Sequence, residues 1–212
     1  MVERLQMVLA GEPVMLLADR ALYWPARQRL IVADLHLGKG TVLRRAGIAV
    51  PSGGTRSDLA RLASLLDTTR AASLWILGDF LHGAPSQGSD VAWQQFRKLH
   101  SQVAMAVVPG NHDRALDAGT ADVELIPDGT CDGPFVFHHA PAESGRAPAY
   151  TLCGHLHPVL KLPAMRAHPL FWIGDQCTVL PAFSLFTGGL RVEHGQARGS
   201  VLCNGQDLVK LE

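Results

Sequence analysis

Short apolar runs separated by polar turns recur along the chain. Pro13 to Ala18, Leu30 to Ala33, Leu74 to Leu77 and Val103 to Val108 are mostly aliphatic and lack polar alternation. Runs of that length predict buried strands. Phe135 to Phe137, Tyr150 to Cys153, Leu170 to Ile173, Val179 to Phe183 and Val201 to Cys203 continue the series with shorter connections. Between the early runs the period changes to that of a helix. In Ser57 to Leu66, the residues Leu59, Leu62, Leu65 and Leu66 fall on one face. Asp90 to Val103 repeats the pattern with Val91, Trp93, Phe96 and Leu99, which predicts Arg97 and Lys98 on the outward side. Alternating strand and helix, followed by strands alone, predicts an α/β sandwich: a pair of mixed sheets with helices outside.

No repeat or linker divides the 212 residues, so one domain spanning 1–212 without a separate cap is expected. The Gly/Pro/Ala-rich stretch Ala140 to Pro148 is the best candidate for a mobile loop. Hydrophobic residues make up 47% and charged residues 18%, which excludes bulk disorder. Lys+Arg and Asp+Glu balance at 19 each, which argues against nucleic-acid binding by bulk charge and leaves only a local basic patch. Cys131, Cys153, Cys177 and Cys203 are widely spaced, with no C-x-x-C pair, and read as free, mostly buried thiols rather than a structural zinc site. Met1 to Ala10 has no apolar leader core, and no run approaches the roughly 18 apolar residues of a membrane span. A cytoplasmic protein without membrane contact is the expectation.

The chemistry sits where the apolar runs stop. The run to Ala33 continues Asp34-Leu35-His36; side chains two apart in a strand point the same way, so both reach one cation. The run to Leu77 ends in Gly78-Asp79, where the glycine permits close backbone approach and an Asp after four apolar residues needs a cationic partner. Its two oxygens can bridge two ions. Val108 is followed by Pro109-Gly110-Asn111-His112-Asp113: Asn111 offers a neutral oxygen, His112 an acid or base, and Asp113 a group to orient that ring. Phe137-His138-His139-Ala140-Pro141 offers either histidine, and the spacing to Pro141 favours His139. Gly154-His155-Leu156-His157 repeats the two-apart logic with imidazoles. Any one of these histidines could be an ordinary core residue; five strand ends that all supply ligands could not.

Asp, Asn and His without thiolate suit two divalent ions, with Mn²⁺, Fe or Zn²⁺ ahead of copper or an iron–sulfur cluster. Two such ions about 3.5–4 Å apart clamp a phosphoryl oxygen and carry a bridging hydroxide. An uncoordinated histidine can then protonate the leaving oxygen. His82, Lys39, Arg44, Arg45 and Arg114 follow the motifs closely enough to be substrate contacts, with surface or supporting roles as the alternative.

D-x-H, G-D, G-N-H-D, H-x-P and G-H-x-H, in that order from Asp34 to His157, resemble the signature of the calcineurin-like metallophosphoesterases. The resemblance implies two mixed sheets flanked by helices in four layers (αββα). It implies that Asp34, His36, Asp79 and His157 hold one metal, that Asp79 bridges to a second completed by Asn111, His139 and His155, and that His112 is the general acid oriented by Asp113. A narrower similarity, carried by Leu43, Arg44, Gly47, Pro51, Leu180-Pro181-Ala182-Phe183 and Thr187-Gly188-Gly189, is to the bacterial ligase-associated DNA-damage-response endonucleases of PdeM type. That likeness implies a manganese-dependent phosphodiesterase acting on DNA in repair, alongside a DNA ligase and a helicase. The same metal core also serves phosphomonoesterases and nucleotide pyrophosphatases. A non-catalytic metal-bound scaffold is the reading from another class, and the full motif set, His112 included, weighs against it.

Overall fold

The computed structural model describes residues 3–83, 87–141, 149–161, 166–192 and 198–211. Most of the expected loop, 142–148, lies outside them. Along the chain the elements are β1 (Arg4–Leu9), β2 (Glu12–Leu17), β3 (Ala21–Trp24), β4 (Arg29–Ala33), α1 (Lys39–Arg45), α2 (Gly54–Thr69), β5 (Ser73–Leu77), α3 (Gln87–Leu99), β6 (Ala104–Val108), α4 (Ala118–Ala121) and β7 (Glu124–Leu125). They continue with β8 (Thr130–Asp132), β9 (Phe135–Phe137), β10 (Tyr150–Cys153), β11 (Val159–Lys161), β12 (Ala167–Ile173), β13 (Cys177–Val179), β14 (Gly199–Cys203) and β15 (Leu208–Leu211).

Strands β1 to β7 form one sheet in chain order. Its first part is an antiparallel meander, and β4, β5, β6 and β7 are parallel, as crossovers through helices require. The second sheet runs β15-β14-β12-β13-β10-β9-β8, with β11 beside β12 and with β9, β10 and β13 parallel. The parallel strands of both sheets end at one edge of the sandwich. There an Ala33–Ala182 bridge and the Phe183 N–H donating to the Ala33 carbonyl (2.8 Å) join the two sheets. The predicted strand Val179 to Phe183 therefore stops at Val179, and its remainder serves as this crossing.

The pleat divides the core. Ile31, Ala33, Leu77 and Val108 meet Phe135, Phe137, Leu152 and Phe171 between the sheets. Leu30, Val32, Leu74 and Ile76 face Leu59, Leu62, Leu65 and Leu66 of α2 and Trp93 and Phe96 of α3. Burial on both faces is why these strands read as unbroken apolar runs, and each buried leucine of α2 contributes roughly 1.5–3 kcal/mol. The helices among the described residues all lie on the side of the first sheet, whereas Leu170 and Leu202 on the outer face of the second pack with Leu160 and Val192.

Helix α3 corrects the sequence reading. Val91 and Leu99 are exposed, and the buried face is Ser89, Ala92, Trp93, Phe96, Arg97 and His100. Arg97 tolerates burial because every face of its guanidinium finds oxygen: Nη2 pairs with Asp122 Oδ2 at 2.8 Å, and Nη1 donates to the His100 and Val103 carbonyls at 3.2 Å.

Candidate metal centre

The motif side chains converge past the ends of β4, β5, β6, β9 and β10, and they form two groups that share Asp79. Ligand atoms of Asp34, His36, Asp79 and His157 lie within 4.8 Å of one another, as do those of Asp79, His139 and His155. In the first group, His36 Nε2 is 3.4 Å from His157 Nε2 and 3.7 Å from Asp79 Oδ2, and His157 Nε2 is 3.5 Å from Asp34 Oδ1. In the second, His139 Nε2 is 3.0 Å from His155 Nδ1, 2.9 Å from Asn111 Oδ1 and 3.7 Å from Asp79 Oδ1. The two carboxylate oxygens of Asp79 thus face different groups.

These contacts bring lone pairs together with too few protons to share, an arrangement that a cation resolves. Asp34 Oδ2 accepts the His155 N–H at 2.9 Å, but Asp34 Oδ1 is buried without a hydrogen-bond partner among the described residues. An orphaned anionic oxygen in a protein interior is costly unless positive charge meets it. His157 Nδ1 lies 3.3 Å from the Gly188 carbonyl, which can only accept, and that contact points Nε2 toward Asp34 and His36. Burial, reinforced by Lys39 and the neighbouring rings, holds His36 down to about 2, so its ring is neutral. The donor set fits two divalent ions.

Local backbone geometry enforces the convergence. Asp34, His36, Asp79, His155 and His157 all have positive φ (54°, 48°, 43°, 69° and 48°). The sequence pattern puts Asp34/His36 and His155/His157 on a strand pleat. Instead β4 and β10 end before them, and alternate left-handed residues turn the side chains inward. Such conformations cost of order 1–3 kcal/mol each and persist only where surrounding structure over-determines them. Glycines make the room: a Cβ at Gly78 would lie 1.7 Å from His139 Nδ1, one at Gly110 2.4 Å from Asp79 Oδ1, and one at Gly154 2.6 Å from Asp34 Oδ2.

The flanking residues fall less evenly. His112 is half-buried; its N–H donates to Asp79 Oδ1 at 3.0 Å, and its ring stacks on His82 at 4.7 Å with no hydrogen bond among the described residues. Asp113 does not orient that ring. Its carboxylate accepts the backbone N–H groups of Phe80, Leu81 and Gly110 (3.1, 2.8 and 2.8 Å), clamping the loop after β5 to the loop after β6. His82 backs His36: its Nδ1 is 3.2 Å from His36 Nδ1, and burial lowers it to about 4. Lys39, first residue of α1, is half-buried within the field of Asp34 and Asp79. Arg44 is engaged locally by the Pro51 carbonyl (3.0 Å) and Thr41 Oγ1 (3.1 Å), away from the ligands, while Arg45 and Arg114 are exposed. His138 turns from the cluster to Asp128 Oδ2 (2.8 Å), and Asp128 Oδ1 accepts the His139 N–H (2.8 Å). Asp128 and the Gly188 carbonyl are supports that no sequence spacing pointed to. A cavity of about 810 Å³ opens between β1 and the start of β10, at the opposite end of that strand from His155.

A sequence profile described as calcineurin-like phosphoesterase matches residues 29–197. Among solved structures, the crystal structure of the Pseudomonas putida nuclease MPE is 35% identical, with a TM-score of 0.87 over 99% of this chain and 100% of that one. Yfce, a phosphoesterase from E. coli, is 15% identical with a TM-score of 0.46, covering 85% of this chain and 90% of that one, too distant to bear on function. A search of curated proteins found no match. With the profile spanning most of the chain and all five ligand motifs brought to one sheet edge, the chain belongs to the calcineurin-like phosphoesterase family and is a metal-dependent phosphoester hydrolase.

Proposed function

We propose that the chain is a two-metal phosphodiesterase that cuts DNA, with Mn²⁺ as its working ion. The observation that carries this reading is Asp79, whose two oxygens face separate ligand groups 3.7 Å from His36 on one side and 3.7 Å from His139 on the other. Asp34, His36 and His157 would hold one ion with Asp79, and Asn111, His139 and His155 the other. Such ions supply charge neutralisation at phosphate and a water acidic enough to attack at neutral pH. The remaining work falls to the chain. His112, whose ring has no hydrogen bond among the described residues and which is held over the centre by His82 and its own N–H bond to Asp79, donates a proton to the departing oxygen. Asp113 keeps His112 in place through the backbone rather than through the ring. Lys39 contributes positive charge near Asp34 and Asp79.

Preference for a diester is supported by the exposed positions of Asn111 and His155, which leave one side of the centre open to a long substrate, and by the full-length similarity to a nuclease. A role in repair beside a DNA ligase and helicase rests on the motif resemblance. The test uses chelator-stripped protein reconstituted with Mn²⁺ on matched chromogenic phosphodiester and phosphomonoester substrates. Faster diester cleavage is expected, followed by cleavage of DNA; a monoester preference would retire the nuclease reading while leaving the metal centre.

A further inference from the structure

A second cleft of about 340 Å³ opens directly beside the centre, with His157 in its wall. That volume is at the small end for ligand pockets, roughly 300–1,000 Å³. Its other walls include Val159, Gly188, Gly189, Arg20 and Arg191, and among the described residues no carboxylate lines it. The strap from Thr187 to Leu190 is zipped onto the chain after His155: the Leu190 N–H donates to the Leu156 carbonyl (3.1 Å), and the Val159 N–H to the Leu190 carbonyl (2.9 Å). Gly189 permits the approach, because a Cβ there would lie 2.2 Å from the His157 carbonyl oxygen and 2.6 Å from Val159 Cγ1. One strap therefore supplies both the carbonyl beside His157 Nδ1 and the cleft wall.

The cleft is cationic. Arg20 is fixed by Nη1 donating to the Ala182 (3.2 Å) and Ser184 (3.0 Å) carbonyls, while its Nε is buried without a hydrogen-bond partner among the described residues. Arg191 is exposed and has no ion pair among the described residues. Two guanidinium groups line the cleft with no carboxylate among its described lining residues, a wall that suits an anion; arginine is well matched to phosphate. The apolar surface of Val159 suits a sugar. In a polynucleotide the next phosphate is the anion that sits one unit from the reacting one.

We propose that this cleft binds the phosphate adjoining the scissile diester on a single DNA strand, with Arg191 and Arg20 as its charges. The inference rests on the nuclease reading above. Its test compares wild type, Arg191→Gln and Ala167→Trp as Mn²⁺-loaded protein, the tryptophan placed on an exposed cleft residue to block the mouth without altering charge. Each is assayed on a single-stranded DNA oligonucleotide and on bis(4-nitrophenyl) phosphate, which has no neighbouring phosphate. For both variants, kcat/KM on the oligonucleotide should fall about tenfold further than on the small diester, the low end for a hydrogen bond to a charged group. The slope of log kcat/KM against log salt on the oligonucleotide should flatten by about 0.7, the value for one lost contact to a single strand. Equal losses on both substrates, or oligonucleotide rates and slopes like wild type, would overturn the subsite and leave the nuclease reading intact. Wild type that turns over the small diester but never cuts the oligonucleotide would overturn both.

Discussion

The two halves of the ligand cluster are built from the same parts but sit at different depths. Asp34, His36 and Asp79 are buried and His157 half-buried, whereas the second half pairs buried His139 with exposed His155 and Asn111. Each half draws on both sheets: oxygens come from the ends of β4, β5 and β6, and most imidazoles from the ends of β9 and β10. The difference divides the labour. The deep half is fixed by the fold and by hydrogen bonds behind it, between His82 and His36 and from His157 to the Gly188 carbonyl. The shallow half is the more exposed one, and an ion there should exchange first.

The sharpest way to break the comparison is to remove what the halves share. Asp79→Ala should lose both ions and all turnover, read by elemental analysis after gel filtration; retention of two ions would refute the bridge. His112→Asn should leave both halves loaded yet cut diester turnover by about 10²–10⁴, the span of acid–base assistance. Full activity in that variant would remove His112 from the proton transfer. His82→Ala separates the halves. It should weaken the tighter ion by about 10–100-fold, as loss of a ligand's hydrogen-bond partner does, and leave the weaker ion near its wild-type affinity in a chelator-competition titration.

The smallest effect is on metal-free protein. His36 and His82 are depressed to about 2 and about 4 against an ordinary value of 6.5, so between those limits the unfolded chain binds protons that the folded chain refuses. Stability then rises with pH over that window. Acidifying chelated protein from pH 7 to 5 should lower Tm, and His36→Asn should flatten the dependence. A Tm that rises on acidification would contradict the burial of these rings as neutral groups.

The chain announced its ligands more clearly than its framework. Gly78-Asp79 and Gly154-His155 are legible because a polar residue after a buried run needs a reason, and the glycine states the crowding. Strands β1 and β15 were not, because half-exposed edge strands such as Arg4–Leu9 mix polar and apolar residues. Helix α3 misled because Arg97 is buried by partners, Asp122 and two carbonyls, that lie far along the chain or on its backbone. Asp113 misled for the same reason: adjacency to His112 suggested the ring, while the amides of Phe80 and Leu81 come from another strand end.

The central claim is that one carboxylate joins two ions, and electron paramagnetic resonance of Mn²⁺-reconstituted protein tests it most directly. The account predicts two Mn²⁺ per chain with the broad, exchange-coupled spectrum of a bridged pair, which Asp79→Ala abolishes. One Mn²⁺ per chain, or two with only the sharp hyperfine pattern of isolated ions, would contradict it.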